Sequence, residues 1–259
     1  MAFQQIYELE QEDSELLFSA SDEEETIEVR QWQQYRWLHL GDKSVQALMD
    51  INAVEEIILP NMQAMLVTLL FQSKPTHLLN LGLGGASLER FLHTHFPELA
   101  ITSIESNKKI IELAKDYFFL PNKIDVKYEK ADQFVQNTKH TYDIILCDIF
   151  IADNQAGCLY DETFYQAISD CINKDGILAM NILPESEEDV VNVLLPMKNY
   201  FGFLYLLEFS DFSNVVIFAS CEKIPVDDEM KKRADMLLEN TKLDLTDIPN
   251  RLNVLLETV

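Results

Sequence analysis

The segment Leu78 to Glu105, LLNLGLGGASLERFLHTHFPELAITSIE, constrains the fold more than any other part of this 259-residue chain. It reads as strand, glycine turn, helix, second strand and a terminal carboxylate, the order of a nucleotide-binding βαβ unit. An apolar run from Leu78 enters Gly82-Leu83-Gly84-Gly85, where missing Cβ atoms let backbone N–H groups approach a ligand. A helix is predicted from Ser87, with Leu88, Phe91, Leu92 and His95 on one stripe and Pro97 as its stop. The next strand, Ala100 to Ile104, delivers Glu105, placed to accept hydrogen bonds from both ribose hydroxyls of an adenosine.

The sixth position of a dinucleotide G-x-G-x-x-G is Ser87 here, so the NAD fingerprint is incomplete. G-x-G-G-A followed by an acidic second-strand end resembles class I S-adenosylmethionine (AdoMet) enzymes instead. A plain tight turn in a sheet protein is the structural alternative.

Strand and helix alternate beyond this unit. Asn107 to Phe118 is a predicted helix, Val126 to Glu129 a short strand before Asp132, and Tyr142 to Cys147 a strand ending in Asp148. A helix over Thr163 to Cys171 and a strand over Ile177 to Ile182 follow, then a helix behind the capping box of Ser186 and Asp189. Phe203 to Phe209 and Asn214 to Ala219 form a closing hairpin. The tail beyond Asp228 has helical spacing, as at Ile248, Leu252, Leu255 and Leu256. Upstream, Thr26 to Val29, Tyr35 to Leu40 and Ser44 to Leu48 read as short strands, and Met62, Met65, Leu66, Leu69 and Leu70 as a core-facing helical stripe. These elements divide the chain into an acidic N-terminal segment with a small β-rich domain (1–60) and an α/β catalytic domain with a helical tail (61–259).

Gly82 to Gly85, Glu105, Asp132 and Asp148 all fall at or just past carboxyl ends of strands, which form one ligand-binding rim in a doubly wound sheet. Asp132 taken alone reads equally well as a helix cap. Asp148 follows the apolar run YDIILC and precedes Ile149-Phe150-Ile151, surroundings that raise a carboxylate's proton affinity. Such a group suits deprotonating an amine or holding a cationic sulfonium, or it orders the following loop.

The formal charge of −24 argues against nucleic acid and favours cationic ligands. Residues 1–29 carry ten of the acids and no Lys or Arg, the composition of a solvated, partly flexible segment. The start lacks a basic and apolar leader, no run is long enough to span a bilayer, and the four cysteines lack C-x-x-C pairing, so a cytoplasmic chain is expected. His93 and His95 stand two apart on a helix and cannot face one ion, so no metal site is expected.

From about residue 37 to residue 220 the chain resembles the spermidine synthase family of polyamine aminopropyltransferases, particularly its divergent bacterial members. The matching segments are LGDKSVQALMD around Gln46, LNLGLGGASLERFL, Ser103-Ile104-Glu105, Lys130-Ala131-Asp132, Tyr142 to Asp148, and Leu159 to Tyr165. The resemblance implies a small N-terminal β-domain on a seven-stranded, mostly parallel AdoMet-methyltransferase-like (Rossmann-like) sheet, usually dimeric. It implies that Glu105 holds the ribose, Ala131 and Asp132 the adenine, and Gln46 the thioether side, with Gly82, Gly84 and Gly85 cradling the nucleoside. Asp148 would be the general base. The donor would be decarboxylated AdoMet or AdoMet, leaving methylthioadenosine or S-adenosylhomocysteine, and the acceptor a small-molecule amine.

Three departures accompany it. The family's glycine turn carries an Asp that grips the aminopropyl ammonium group, where this chain has Gly84 and Gly85. Its D-x-x-D-P loop is here Asp148-Ile149-Phe150-Ile151-Ala152-Asp153, with Asp153 two places late. Its Tyr-x-Glu-Met segment is Leu59-Pro60-Asn61-Met62. The reading adopted is a spermidine-synthase-like transferase; an AdoMet-dependent methyltransferase of a small molecule, or a nucleoside-binding protein with little catalysis, would use the same adenosine site.

Overall fold

The computed structural model describes residues 13–21, 26–41, 44–151, 154–209, 213–224 and 228–257. Strands β1 (Glu15–Ser21), β2 (Thr26–Trp32), β3 (Tyr35–Leu40) and β4 (Ser44–Asp50) form an antiparallel meander in sequence order. Two short helices follow, α1 (Pro60–Met65) and α2 (Thr68–Phe71). Then come β5 (His77–Leu81), α3 (Ser87–His95), β6 (Ala100–Glu105), α4 (Lys108–Tyr117), β7 (Asp125–Tyr128), α5 (Ala131–Asn137) and β8 (Tyr142–Cys147). A small ribbon, β9 (Phe150–Ile151) with β10 (Asn154–Gln155), leads to a 3-10 turn at Gly157–Tyr160. The chain continues through α6 (Glu162–Cys171), β11 (Ile172–Ile182), α7 (Glu187–Met197), β12 (Phe203–Glu208), β13 (Val215–Ser220), α8 (Asp228–Thr241), α9 (Ile248–Arg251) and β14 (Asn253–Glu257).

The main sheet has the order β14-β12-β13-β11-β8-β5-β6-β7. Pairing is parallel from β11 through β7 and antiparallel from β11 to β14. Alternation along β8 explains the double winding. Ile144 and Leu146 join the core beneath α1, α2 and α3, while Ile145 and Cys147 join the opposite core beneath α6 and α7, and all four are fully buried. The expected seven-stranded sheet is present, and an eighth strand extends it.

That eighth strand corrects the reading of the tail. Helix α8 ends at Thr241 and α9 is a single turn, after which residues 253–257 pair antiparallel with β12. A helix so short gains little on its own, whereas the open edge of β12 supplies a ready ladder. A second correction concerns the acidic N-terminus: residues 15–21 form β1, paired with β2, with Leu17 and Phe18 partly buried against the small sheet's core. The charge count concealed those two apolar anchors.

The two sheets are joined at α4. Ile110 and Leu113 of α4, with Phe118, pack against Val29, Leu38, Ala47 and Met49 of the meander. This packing brings β4 alongside the glycine turn after β5. Among the described residues no helix is long and apolar enough to cross a membrane.

Candidate functional site

The carboxyl ends of β5, β6, β7 and β8 open onto one cleft of about 620 Å³, within the range of small-molecule sites. Gln46, Gly82, Gly84, Gly85, Glu105, Ala131, Asp132 and Asp148 all line it, so residues spread over a hundred positions of sequence share one wall. Asp153 lies outside the described residues.

The glycine turn is built by close approach. Gly82 donates its N–H to Ile104 O at 2.9 Å and adopts φ +102°, and a Cβ there would stand 2.1 Å from Asp148 O. No side chain fits that contact, which seats the β8 end directly on the turn. A Cβ on Gly85 would meet the Ala47 Cβ at 2.4 Å. The turn therefore lacks room at position 85 for the carboxylate that the family resemblance led one to look for, unless β4 moves. Arg90 of α3 fastens the same turn, donating to the carbonyls of Gly85, Val54 (2.5 Å) and Phe118 (2.7 Å).

Glu105, at the end of β6, accepts from Leu83 N at 3.2 Å through Oε2 and from Asn107 N at 2.8 Å through Oε1. Burial raises its proton affinity, and backbone N–H groups of Asn107, Leu83, Gly84 and Ser106 oppose that rise. The two bonds of full geometry fall one on each carboxylate oxygen. Asp132 sits in the first turn of α5, whose cap position is occupied by Lys130 without a side-chain cap bond, so Asp132 is not the helix cap. It lines the cleft beside Ala131.

Asp148 continues the β8 ladder, donating its N–H to Leu81 O at 2.8 Å. Burial pushes its carboxyl up to about 6, against the pull of a 2.7 Å hydrogen bond from Asn181 Nδ2 to Oδ1. Asn181 in turn accepts from Asn214 Nδ2 at 3.1 Å. Neither asparagine was singled out as a site residue from the sequence. Asn181 carried a signal, being the lone polar residue of the buried run ILAMNI; Asn214 precedes β13 in a turn and carried none. Cys158 also lines the cleft, but burial and the charge of Asp132 push its thiol up to about 11, which keeps it protonated and weakly nucleophilic.

Residues 63–225 match the family described as the spermine/spermidine synthase domain. The chain belongs to that family. A polyamine aminopropyltransferase of Neisseria meningitidis is 29% identical over 215 residues, covering 81% of this chain and 82% of the relative. Among solved structures, a probable spermidine synthase from Corynebacterium glutamicum superposes with a TM-score of 0.74 at 14% identity, covering 85% of this chain and 86% of that one. Human methyltransferase-like protein 13, solved in complex with SAH, gives 0.65 at 21% identity, covering 71% and 93%. The fold is that of the AdoMet-methyltransferase-like α/β proteins with a small antiparallel domain in front.

Proposed function

We propose that this transferase moves an aminopropyl group from decarboxylated AdoMet to an amine, with Asp148 as the base. The observation that carries the reading is Asp148 itself: a carboxylate titrating at about 6, within the cleft that holds Glu105 and packed on the glycine turn. A base with that proton affinity is ionised at neutral pH yet still a useful proton acceptor.

The cleft fits a nucleoside donor. Glu105 would hold the ribose hydroxyls, Ala131 and Asp132 the adenine, Gln46 the thioether side, and Gly82, Gly84 and Gly85 the close backbone approach. The donor supplies an electrophilic carbon next to a sulfonium. Asp148 accepts the proton of the attacking amine as the new C–N bond forms and the C–S bond breaks, and Asn181 keeps Asp148 oriented throughout. Turn and base are in van der Waals contact through Gly82 and the Asp148 backbone, so donor and base are held in one frame.

A second reading, methyl transfer from AdoMet, draws support from the glycine turn, where neither Gly84 nor Gly85 supplies a carboxylate to face the donor's side arm. Calorimetric titration with AdoMet, decarboxylated AdoMet and methylthioadenosine separates the two. Preference for the decarboxylated donor supports aminopropyl transfer; preference for AdoMet, with methylated product in a turnover assay, overturns it. Putrescine is expected to be a poor acceptor with a raised KM, since charge-assisted contacts to its far ammonium are depleted. A kcat in the ordinary enzyme range of about 1–10³ s⁻¹ at low putrescine would contradict that.

The same reading makes the chain a homodimer, assembled partly through the small sheet, in which β1 is an edge strand in need of cover. Light scattering that returns 29.9 kDa at micromolar protein would refute it. Four unpaired cysteines suit a reducing compartment such as the cytoplasm, which cell fractionation tests.

A further inference from the structure

Beneath the glycine turn, three polar side chains from three elements meet in a space closed to solvent. Glu89 of α3 and Asn80 of β5 are each 1% exposed, and Ser103 of β6 is 0% exposed. Asn80 Nδ2 donates to Glu89 Oε1 at 2.6 Å and to the Gly82 carbonyl at 2.8 Å. Ser103 Oγ donates to the same Oε1 at 2.6 Å. Glu89 Oε2 and Asn80 Oδ1, by contrast, are buried without a hydrogen-bond partner. With the carboxylate ionised both bare atoms are acceptors, and neither can satisfy the other.

A single proton would answer both defects. Placed on Oε2 it makes an O–H donor, and the acceptor lacking a partner is Asn80 Oδ1, on the amide whose nitrogen already bonds Oε1. A bond between the two would close an acid–amide pair. We propose that Glu89 is a neutral carboxylic acid in the folded chain and, through Asn80, a positioning residue that fixes the Gly82 carbonyl and with it the path of the glycine turn.

The surroundings agree. From β5 and β6 the groups facing Glu89 are Asn80 and Ser103, both uncharged. The charged neighbour is Arg90 on the same helix, whose guanidinium is directed at the carbonyls of Gly85, Val54 and Phe118 and the Ser87 hydroxyl. Burial raises the proton affinity of Glu89, with the bonds from Ser103 and Asn80, its own backbone N–H and the field of Arg90 opposing.

A proton bound in the folded but not the unfolded chain gives stability that is complete at acid pH and is lost as pH rises through the folded-state value. Glu89→Gln keeps an acceptor and a donor in the places of the neutral acid's, adds one N–H, and does not titrate. Thermal midpoints of the full chain, measured from about pH 5 to about pH 9, should therefore show Glu89→Gln gaining on the parent as pH rises. The infrared difference between the parent and Glu89→Gln at about pH 8, where Asp148 is ionised, should show a carboxylic C=O band that belongs to the parent. Affinity for methylthioadenosine should stay within about threefold in Glu89→Gln and fall about tenfold or more in Glu89→Leu, where Asn80 loses its partner. A midpoint difference that is constant with pH, the behaviour of an ionised Glu89 with water on Oε2, would overturn the proposal, as would a missing infrared band. If Glu89→Leu does not fold, the Glu89→Gln series decides alone. The midpoints and the infrared band are independent of any ligand, so a parent that fails to bind methylthioadenosine refutes the nucleoside reading and leaves the Glu89 proton to be judged on its own measurements.

Discussion

Glu105 and Asp148 line one cleft from the ends of the two strands that flank β5, and burial raises the proton affinity of both. Their partners differ in kind. Glu105 is surrounded by backbone N–H groups of Leu83, Gly84, Ser106 and Asn107, donated by the two turns that flank it. Asp148 has one side-chain donor, Asn181, from a strand 33 residues later. At Glu105 several fixed backbone dipoles oppose the effect of burial; at Asp148 one distant amide does so, and its carboxyl is pushed up to about 6. Under the proposed function, the same residue chemistry would be divided between holding the donor and accepting a proton by who supplies the hydrogen bonds.

Asp148→Asn breaks the comparison most sharply. Turnover should fall ~10²–10⁴-fold, the usual contribution of a positioned base, while calorimetric binding of methylthioadenosine stays at the parent level. Equal losses in binding and rate would show that both carboxylates serve binding. Glu105→Ala should do the reverse, weakening the nucleoside about 10- to 100-fold through the loss of charge-assisted bonds worth ~1.5–3 kcal/mol. Unchanged affinity in a folded variant would remove Glu105 from the site.

Asn181→Ala gives the smallest effect and the finest test. Because Asp148 must be ionised to accept a proton, kcat/KM in the parent should rise with pH through about 6. The Asn181 bond favours the ionised form, so its loss should move that limb upward by about one unit, lowering activity about twofold at neutral pH and about tenfold well below it. An unmoved limb with a raised KM would make Asn181 a substrate contact instead.

The glycine turn and Glu105 were legible in the sequence because they are local. Gly82 to Gly85 and Glu105 belong to a single βαβ unit, and the helix and strands drawn there from spacing agree with α3, β5 and β6 to within a residue or so. Asp148 was legible too, as the polar end of a continuous apolar strand. Its partners were not. Met180 pairs with Cys147 in the parallel register of β11 with β8, and only that register sets Asn181 beside Asp148. Asn214 joins by the antiparallel turn before β13.

Periodicity also misjudged the tail, reading helix where β14 extends the sheet, because four apolar residues at helical spacing cannot report that an unpaired strand edge waits beside them. By itself the sequence determined the α/β class, the turn, the rim and its carboxylates, all of which follow from patterns shorter than one supersecondary unit. Tertiary structure alone decided which donors reach each carboxylate, that Ala47 of the small sheet closes over Gly85, and that Glu89 and Asn80 are sealed together with two acceptors bare. Burial and hydrogen-bond satisfaction are properties of neighbours brought in from distant segments, and these set the proton affinity of a side chain.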